Sequence, residues 1–447
     1  MGKLFGTDGI RGVAGETLSG ELAFRVGQAA ARVLTETERH KASFCIGKDT
    51  RVSSDMLEAA LVAGVTSVGA DAVLLGTVPT PAVAYLTAHT ADAGIMISAS
   101  HNPFEHNGIK IFNAQGYKLS DALEEEMEEM ILSDRPCPQE TFERIGRIQR
   151  DEMLVERYIA HLMDVVEGDL SGLRVAIDCA NGAAVRTARG LFSRLGLRYE
   201  LLFDKPDGVN INTGCGSTHL DALRERVIEG RFDLGVAFDG DADRCLAVDE
   251  NGRLIDGDQI MAVCGLDEKC RGRLHHDTIV ATVMSNLGFH RFARDNGLHV
   301  VSAAVGDRNV LEEMRKGDYT LGGEQSGHLI FHRYATTGDG QLTALRFLEI
   351  AARSGRRASG LLAGFAQYPQ LIVNVRVRNE MKHMLTGHAE VAAAIRGAEE
   401  RLAGDGRILV RPSGTEPLVR VMVEGPEDTL VQSLAESIAA VISRVSA

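Results

Sequence analysis

Three stretches of the chain repeat one alternation of apolar runs and helical segments. Ser43-Phe44-Cys45-Ile46 is an apolar run of strand length, residues 54–67 read as a helix, Gly69 follows, and 72–75 is apolar again. The order returns with a run at 173–177, a helix over 183–195, Gly196 and a run at 199–203. It returns once more with a run at 278–283, a helix ending near Asn296, Gly297 and a run at 299–303. Strand, loop, helix, glycine, strand is the spacing of a βαβ unit, so the recurrence predicts three related α/β domains with mixed or parallel sheets. The tail differs: a strand at 371–377, a helix at 388–402, strands at 407–410 and 418–423, and a helix at 427–444. That βαββα order predicts a smaller α+β domain. The expected domains are 1–153, 154–256, 257–368 and 369–447. The acidic run Asp121 to Glu129 follows Ser120, a good N-cap residue, and reads as a solvated helix face.

At 447 residues the chain is long enough for three or four domains of roughly 150 residues. A formal net charge of −14 argues against a nucleic-acid groove or an anionic membrane as partner. Cations that hold an anionic ligand must therefore be gathered locally. Seven cysteines without a CxxC pair fit a reduced cytoplasm rather than a disulfide framework. The first residues lack a signal-peptide core, and the longest uncharged run, Ala72 to Ala91, is broken by Gly76, Pro79 and Pro81, so no membrane span is expected.

Two more apolar runs lead into polar loops. Ala93-Gly94-Ile95-Met96-Ile97 ends at Ser98-Ala99-Ser100-His101-Asn102-Pro103, which puts a hydroxyl at the carboxyl end of a buried strand, where open α/β sheets place their chemistry. A polar strand-to-loop corner is the plainer alternative. Ser98 shares the face of Ser100 if the strand stays extended, and Lys110 is close enough to reach Ser100. Asp233 to Phe238 runs into Asp239-Gly240-Asp241-Ala242-Asp243-Arg244, whose alternate carboxylates converge on one side of an extended segment. Two carboxylates ~4 Å apart repel by about 4 kcal/mol at an effective dielectric near 20. Three such pairs cost on the order of 12 kcal/mol, which only a cation or proton uptake relieves. Hard oxygen ligands suit Mg²⁺. Glu250 sits at the twelfth position of an EF-hand loop, but Arg244 stands where that loop needs glycine.

Gly322-Gly323-Glu324-Gln325-Ser326-Gly327-His328 sets a carboxylate, a hydroxyl and an imidazole between glycines, groups that suit sugar hydroxyls. Arg411-Pro412-Ser413-Gly414-Thr415-Glu416-Pro417, with Arg420 on the following strand, reads as an anion nest for phosphate. The opening Phe5 to Gly12 packs three glycines around Thr7, Asp8 and Arg11, which lets backbone approach a ligand closely.

In order and at suitable separations, these five loops resemble those of the α-D-phosphohexomutase superfamily, and within it the branch acting on glucosamine phosphates. The resemblance covers essentially the whole chain and implies four domains around a central cleft. It implies that Ser100 is the phosphoserine that gives and takes the phosphoryl group, and that Asp239, Asp241 and Asp243 hold one Mg²⁺ with a phosphoserine oxygen. Arg11, His101, Lys110 and His328 are then candidates for proton transfer or charge stabilisation. Arg244, Glu324 and Ser326 would bind the sugar phosphate, and Arg411, Ser413, Gly414, Thr415 and Arg420 would grip the phosphate not being transferred. The implied reaction interconverts glucosamine 6-phosphate and glucosamine 1-phosphate through glucosamine 1,6-bisphosphate, which also serves as activator. Glucose or mannose phosphates, or a non-catalytic sugar-phosphate binder, are the alternatives. The implied partner is a small sugar phosphate, with a homodimer as the compatible assembly. One departure stands out: His106 precedes Asn107-Gly108 where the family pattern usually has an acid.

Overall fold

The structure is a computed structural model, describing residues 4–6, 8–35, 40–133, 137–151, 153–378, 380–382, 384–413 and 417–446. Each apolar run of strand length lies inside a sheet. In the first sheet these are β1 (Ile10–Val13), β2 (Ser43–Lys48), β3 (Asp71–Thr77), β4 (Ala93–Ile97), β5 (His106–Asn113) and β6 (Ile148–Arg150). The second holds β7 (Arg174–Asp178), β8 (Arg198–Leu202), β9 (Leu234–Phe238), β10 (Cys245–Asp249) and β11 (Leu254–Ile255). The third holds β12 (Thr278–Thr282), β13 (His299–Ala303), β14 (Leu321–Gly323) and β15 (Leu329–Phe331).

One frame recurs in all three. The orders contain β5-β4-β2-β3, β10-β9-β7-β8 and β15-β14-β12-β13. In each, the predicted strand–helix–strand pair lies parallel and a third strand joins the first in parallel. A fourth strand then returns antiparallel on the third. The hairpin between third and fourth strands is residues 98–105 in the first copy, 239–244 in the second and 324–328 in the third. Three of the loops singled out by residue type therefore occupy one topological position.

Two compact units are present. The first comprises Met1–Met284 and Leu298–Ala363, with Phe44, Ile46, Ile95 and Ile97 buried at the centre of its first sheet. The second comprises Ser285–Gly297 and Gly364–Ala447. Its antiparallel sheet orders β16 (Gln370–Arg376), β18 (Leu418–Glu424) and β17 (Arg407–Pro412), so that β18 is central. Val419, Val421 and Val423 bury one face of that sheet against Leu434, Ile438 and Ile442 of helix Asp428–Ser446. The order strand, helix, strand, strand, helix is the one read from sequence.

Helix Leu287–Asp295 connects the parallel strands β12 and β13, as the repeat pattern expects, while its contacts group it with this second unit. Asn286 caps it by accepting from Gly288 N at 2.9 Å and donates to Tyr368 O at 2.9 Å. Arg291 lies 4.7 Å over the Tyr368 ring.

Some elements escaped the pattern. Thr80–Thr90 is a helix inside the uncharged run, begun by Pro81 near its N-terminus. β5 is a strand although it carries buried Asn107 and Lys110. The acidic segment is a helix, Asp121–Leu132, with Ser120 at the N-cap but no side-chain capping bond. Its face is not wholly solvated: Glu128 is buried and accepts from Leu4 N at 2.9 Å and Phe5 N at 3.3 Å. Among the described residues, no helix is long and apolar enough to cross a membrane.

Candidate active site

Ser100 leaves β4 in the left-handed region, φ 55°, where a residue with a Cβ needs outside support. The support is dense. Its N–H donates to Ser98 Oγ at 3.0 Å, and its carbonyl accepts from Arg51 Nη2 and Asn212 Nδ2, each at 2.9 Å. Buried Arg51 also donates to Asp49 at 2.7 Å, to the His106 carbonyl at 3.0 Å and to the Pro103 carbonyl. The rigid fork of a guanidinium lets one side chain set a whole loop. Ser98 donates to Asp49 Oδ2 at 2.7 Å, which ties it into the scaffold beneath the loop. Held this way, Ser100 Oγ donates to Asp239 Oδ2 at 2.6 Å and lies 3.4 Å from His101 Nδ1.

Asp239, Asp241 and Asp243 are all buried, and one oxygen from each lies within 4.8 Å of the others. Burial, then the charges of Asp243 and Asp241, push the Asp239 carboxyl well above its ordinary range. Lys110 approaches from β5, 2.6 Å from Asp241 Oδ2 and 3.3 Å from Asp243 Oδ2. Burial opposes its charge, and Asp241 and Asp243 more than offset that, holding it above its ordinary value. For Asp243, burial raises the carboxyl, but Lys110 and His328 overcome it and keep the group ionised.

Thr80 Oγ1 donates to Asp241 Oδ2 at 2.5 Å. Asp241 Oδ1 is buried without a hydrogen-bond donor among the described residues. Among the described residues, Asp243 Oδ1 meets His328 Nδ1 at 3.6 Å and Arg244 Nε at 3.8 Å, beyond hydrogen-bond reach. Buried carboxylate oxygens short of donors are a donor set for a hard cation.

The remaining groups surround that cluster. Arg244 N donates to Asp239 Oδ1 at 3.1 Å, and its Nη1 lies 3.1 Å from His101 Nδ1. Burial, then Arg244 and Arg11, depress the His101 pKa to about 4, so the imidazole is neutral. Gly338 N donates to His328 Nε2 at 3.0 Å, which leaves the ring proton on Nδ1, facing Asp243. Burial lowers the His328 pKa, but Asp243 and Asp307 outweigh it and draw the value up. Arg11 pairs with Asp8 at 3.5 Å, and Asp8 and Asp307 share Lys118 at 2.9 and 2.5 Å.

Glu324 Oε1 accepts from Gly306 N at 3.1 Å, and the Ser326 hydroxyl is buried without a partner among the described residues. The Gln325 and Gly327 carbonyls accept from Gly257 N and Cys245 N, each at 3.0 Å, tying this loop to β10 and to the start of helix Gly257–Cys270.

In the second unit, Arg411 of β17 stands opposite Arg420 of β18 in register. Burial and Arg420 lower the Arg411 pKa, a like-charge pairing that a bound anion relieves. Ser413 is buried, its N–H on the Leu418 carbonyl at 2.9 Å. Gly414 and Thr415 lie outside the described residues.

The first unit thus links Ser100, His101, Lys110, the three aspartates, Arg244 and His328 directly, and Arg11 through Asp8, Lys118 and Asp307, which lies 3.6 Å from His328 Nε2. Sequence reasoning missed Asp49, Arg51, Thr80, Lys118, Asn212 and Asp307. Asp49 and Arg51 follow the end of β2, a central parallel strand, which is the one signal that would have found them.

Known proteins match along the whole length. Residues 2–136, 156–252 and 256–368 match phosphoglucomutase/phosphomannomutase alpha/beta/alpha domains I, II and III, and residues 372–441 match the C-terminal domain. A phosphoglucosamine mutase from Clostridium acetobutylicum is 52% identical over 446 residues, 99% of each chain. One from Acetivibrio thermocellus is 51% identical over 444 residues, again 99% of each. An X-ray structure of a phosphoglucomutase/phosphomannomutase family protein from Burkholderia thailandensis superposes with a TM-score of 0.83 at 24% identity, covering 98% of this chain and 97% of that one. The Aspergillus fumigatus N-acetylphosphoglucosamine mutase, solved with GlcNAc-6P and magnesium, has the same fold, with a TM-score of 0.71 at 18% identity over 99% and 96% of the two chains. Four family domains in unbroken order, on a frame whose hairpins carry the serine, the aspartates and the Glu324 loop, leave one conclusion: the chain belongs to the phosphoglucomutase/phosphomannomutase family.

Proposed function

We propose that the chain interconverts glucosamine 6-phosphate and glucosamine 1-phosphate, with Ser100 as the phosphoryl carrier and glucosamine 1,6-bisphosphate as intermediate and activator. The observation that carries the reading is the 2.6 Å contact of Ser100 Oγ with Asp239, inside a buried three-aspartate cluster. The choice of amino sugar follows the two relatives named phosphoglucosamine mutase at 52% and 51% identity. The seven cysteines are free thiols, in keeping with a cytoplasmic setting.

In the first half-reaction the bond from phosphorus to Ser100 Oγ breaks and a bond to a sugar hydroxyl oxygen forms; the second half-reaction runs the same exchange in reverse at the other end of the sugar. The sugar hydroxyl gives up its proton and the serine oxygen gains one. The bisphosphate then turns end for end, and Ser100 takes back the other phosphoryl group. Lys110 and Arg244 supply fixed positive charge beside the reacting oxygen. Neutral His101 and buried His328 are the groups able to hold the proton in transit. Asp239, Asp241 and Asp243 would hold one Mg²⁺, which supplies charge against the developing negative charge on the bridging oxygen. Glu324 and Ser326 would bind sugar hydroxyls. Arg411, Ser413, Gly414, Thr415 and Arg420 would hold the phosphate that is not transferred.

The test is product analysis with glucosamine 6-phosphate, Mg²⁺ and a trace of bisphosphate, run beside glucose and mannose 1-phosphates. Glucosamine 1-phosphate should form, with the highest kcat/KM among the three sugars and measurable side activity on glucose. Equal or better kcat/KM on glucose or mannose 1-phosphate would assign a different substrate to the same chemistry.

A further inference from the structure

We propose that Thr80 is a positioning residue for the cation-binding carboxylates, fixing Asp241 so that its second oxygen points at the ion. The inference rests on the reading of Asp239, Asp241 and Asp243 as a Mg²⁺ site and adds to it a residue from the first repeat. Thr80 is 1% exposed and opens helix Thr80–Thr90. It grips Asp241 twice: its N–H donates to the Asp241 carbonyl at 2.9 Å, and its hydroxyl donates to Asp241 Oδ2 at 2.5 Å. Lys110 Nζ donates to the same Oδ2 at 2.6 Å. Two donors sit on one oxygen, and among the described residues Asp241 Oδ1 is buried with none. A carboxylate held by one oxygen presents the other to a cation without first losing rotational freedom.

The first repeat therefore sends two hydroxyls to the loop of the second. Ser100 Oγ donates to Asp239 Oδ2 at 2.6 Å, and Thr80 Oγ1 donates two residues further along that loop. The two differ in what the reaction does to them. Phosphorylation removes the Ser100 proton and with it the hydrogen bond to Asp239, whereas Thr80 keeps its proton in both states. Thr80 thus holds one ligand of the cluster steady while the serine alternates. Its main-chain bond survives any side-chain change, so valine, of nearly the same shape, removes the hydroxyl contact alone.

The test is calorimetric titration of MgCl₂ into the full chain, matched in Ser100 phosphorylation by intact mass, with thermal unfolding alongside. Wild type and Thr80→Ser should bind Mg²⁺ within about twofold of each other. Thr80→Val should bind about tenfold more weakly, the worth of one charge-assisted hydrogen bond. Its unfolding midpoint should stay close to wild type, and its kcat should recover at saturating Mg²⁺. If valine prevents folding, Thr80→Ala against Thr80→Ser makes the same comparison. Wild-type Mg²⁺ affinity in the valine or alanine variant overturns the proposal, and so does equal weakening in the serine variant. Wild-type protein that binds no Mg²⁺ overturns the metal reading beneath it.

Discussion

Alanine at Gly240 tests how tightly the reacting serine is clamped. A Cβ there would lie 2.5 Å from the Ser100 carbonyl oxygen, 2.8 Å from Asn212 Nδ2 and 2.9 Å from Ile211 Cδ1. Gly240 is not among the residues with positive φ, so alanine adopts its backbone without strain and the cost is steric alone. Ordinary contact begins near 3.4 Å, so the carbonyl and the new methyl must part by roughly 0.9 Å. The carbonyl cannot retreat freely, because Arg51 and Asn212 both hold it at 2.9 Å. The displacement passes to Ser100 itself and to its 2.6 Å contact with Asp239. Misplacing a reacting group by about 1 Å costs on the order of a hundredfold in rate. The overpacking costs about 1–3 kcal/mol in stability. Gly172→Ala is the control, since nothing lies within 4 Å of its added Cβ. kcat with saturating glucosamine 1-phosphate, measured with the urea unfolding midpoint, separates the two effects. A Gly240→Ala enzyme with more than half the wild-type kcat and an unchanged midpoint would refute the clamp.

Intact-mass and peptide mapping of purified protein should find phosphate on Ser100 and none on Ser98. Ser100→Ala should abolish turnover even with added bisphosphate, and Ser98→Ala should slow turnover by loosening the scaffold; a dead Ser98→Ala beside an active Ser100→Ala would reverse the assignment. Arg411→Ala should weaken binding of both monophosphates by about 1.5–3 kcal/mol, read as raised KM for each, and normal KM for both would remove the residue from phosphate binding. Asp178 accepts from Ala180 N and Gly216 N, each at 2.8 Å, and burial lifts its pKa from the ordinary 3.8 to about 7. The folded chain therefore keeps a proton that the unfolded chain releases, so this stability is full below about pH 4 and is lost as pH rises through 7. Between pH 5 and 8 the loss is about 2–3 kcal/mol, and Asp178→Asn should flatten it in urea unfolding; parallel pH profiles for the two proteins would contradict the assignment.

What was legible in the sequence was what short-range chemistry writes. The repeats showed because each central strand is a continuous apolar run. The aspartate loop showed because three alternate carboxylates at the end of a buried strand repel one another unless a cation or a proton sits among them. β5 stayed hidden because Lys110 and Asn107 are polar residues inside it, and Asp241 and Asp243, far along the chain, make a buried lysine tolerable there. Helix Thr80–Thr90 stayed hidden because prolines and threonines mask its period. Arg51 and Thr80 act on partners 49 and 161 residues away, a distance over which local pattern carries no signal. The helix Leu287–Asp295 was legible as a helix but not as part of the second unit, because its attachment depends on Tyr368 and Glu424.

A strand order used three times, with one hairpin given a different chemistry each time, divides labour between sheet and loop. The sheets answer for stability and the hairpins for the reaction. On the proposed function, retuning the sugar would fall to residues 324–328, while the serine hairpin at 98–105 and the acidic loop at 239–244 would stay as they are. A lineage built on such a frame can shift between hexose phosphates by revising one specialist, without renegotiating the others.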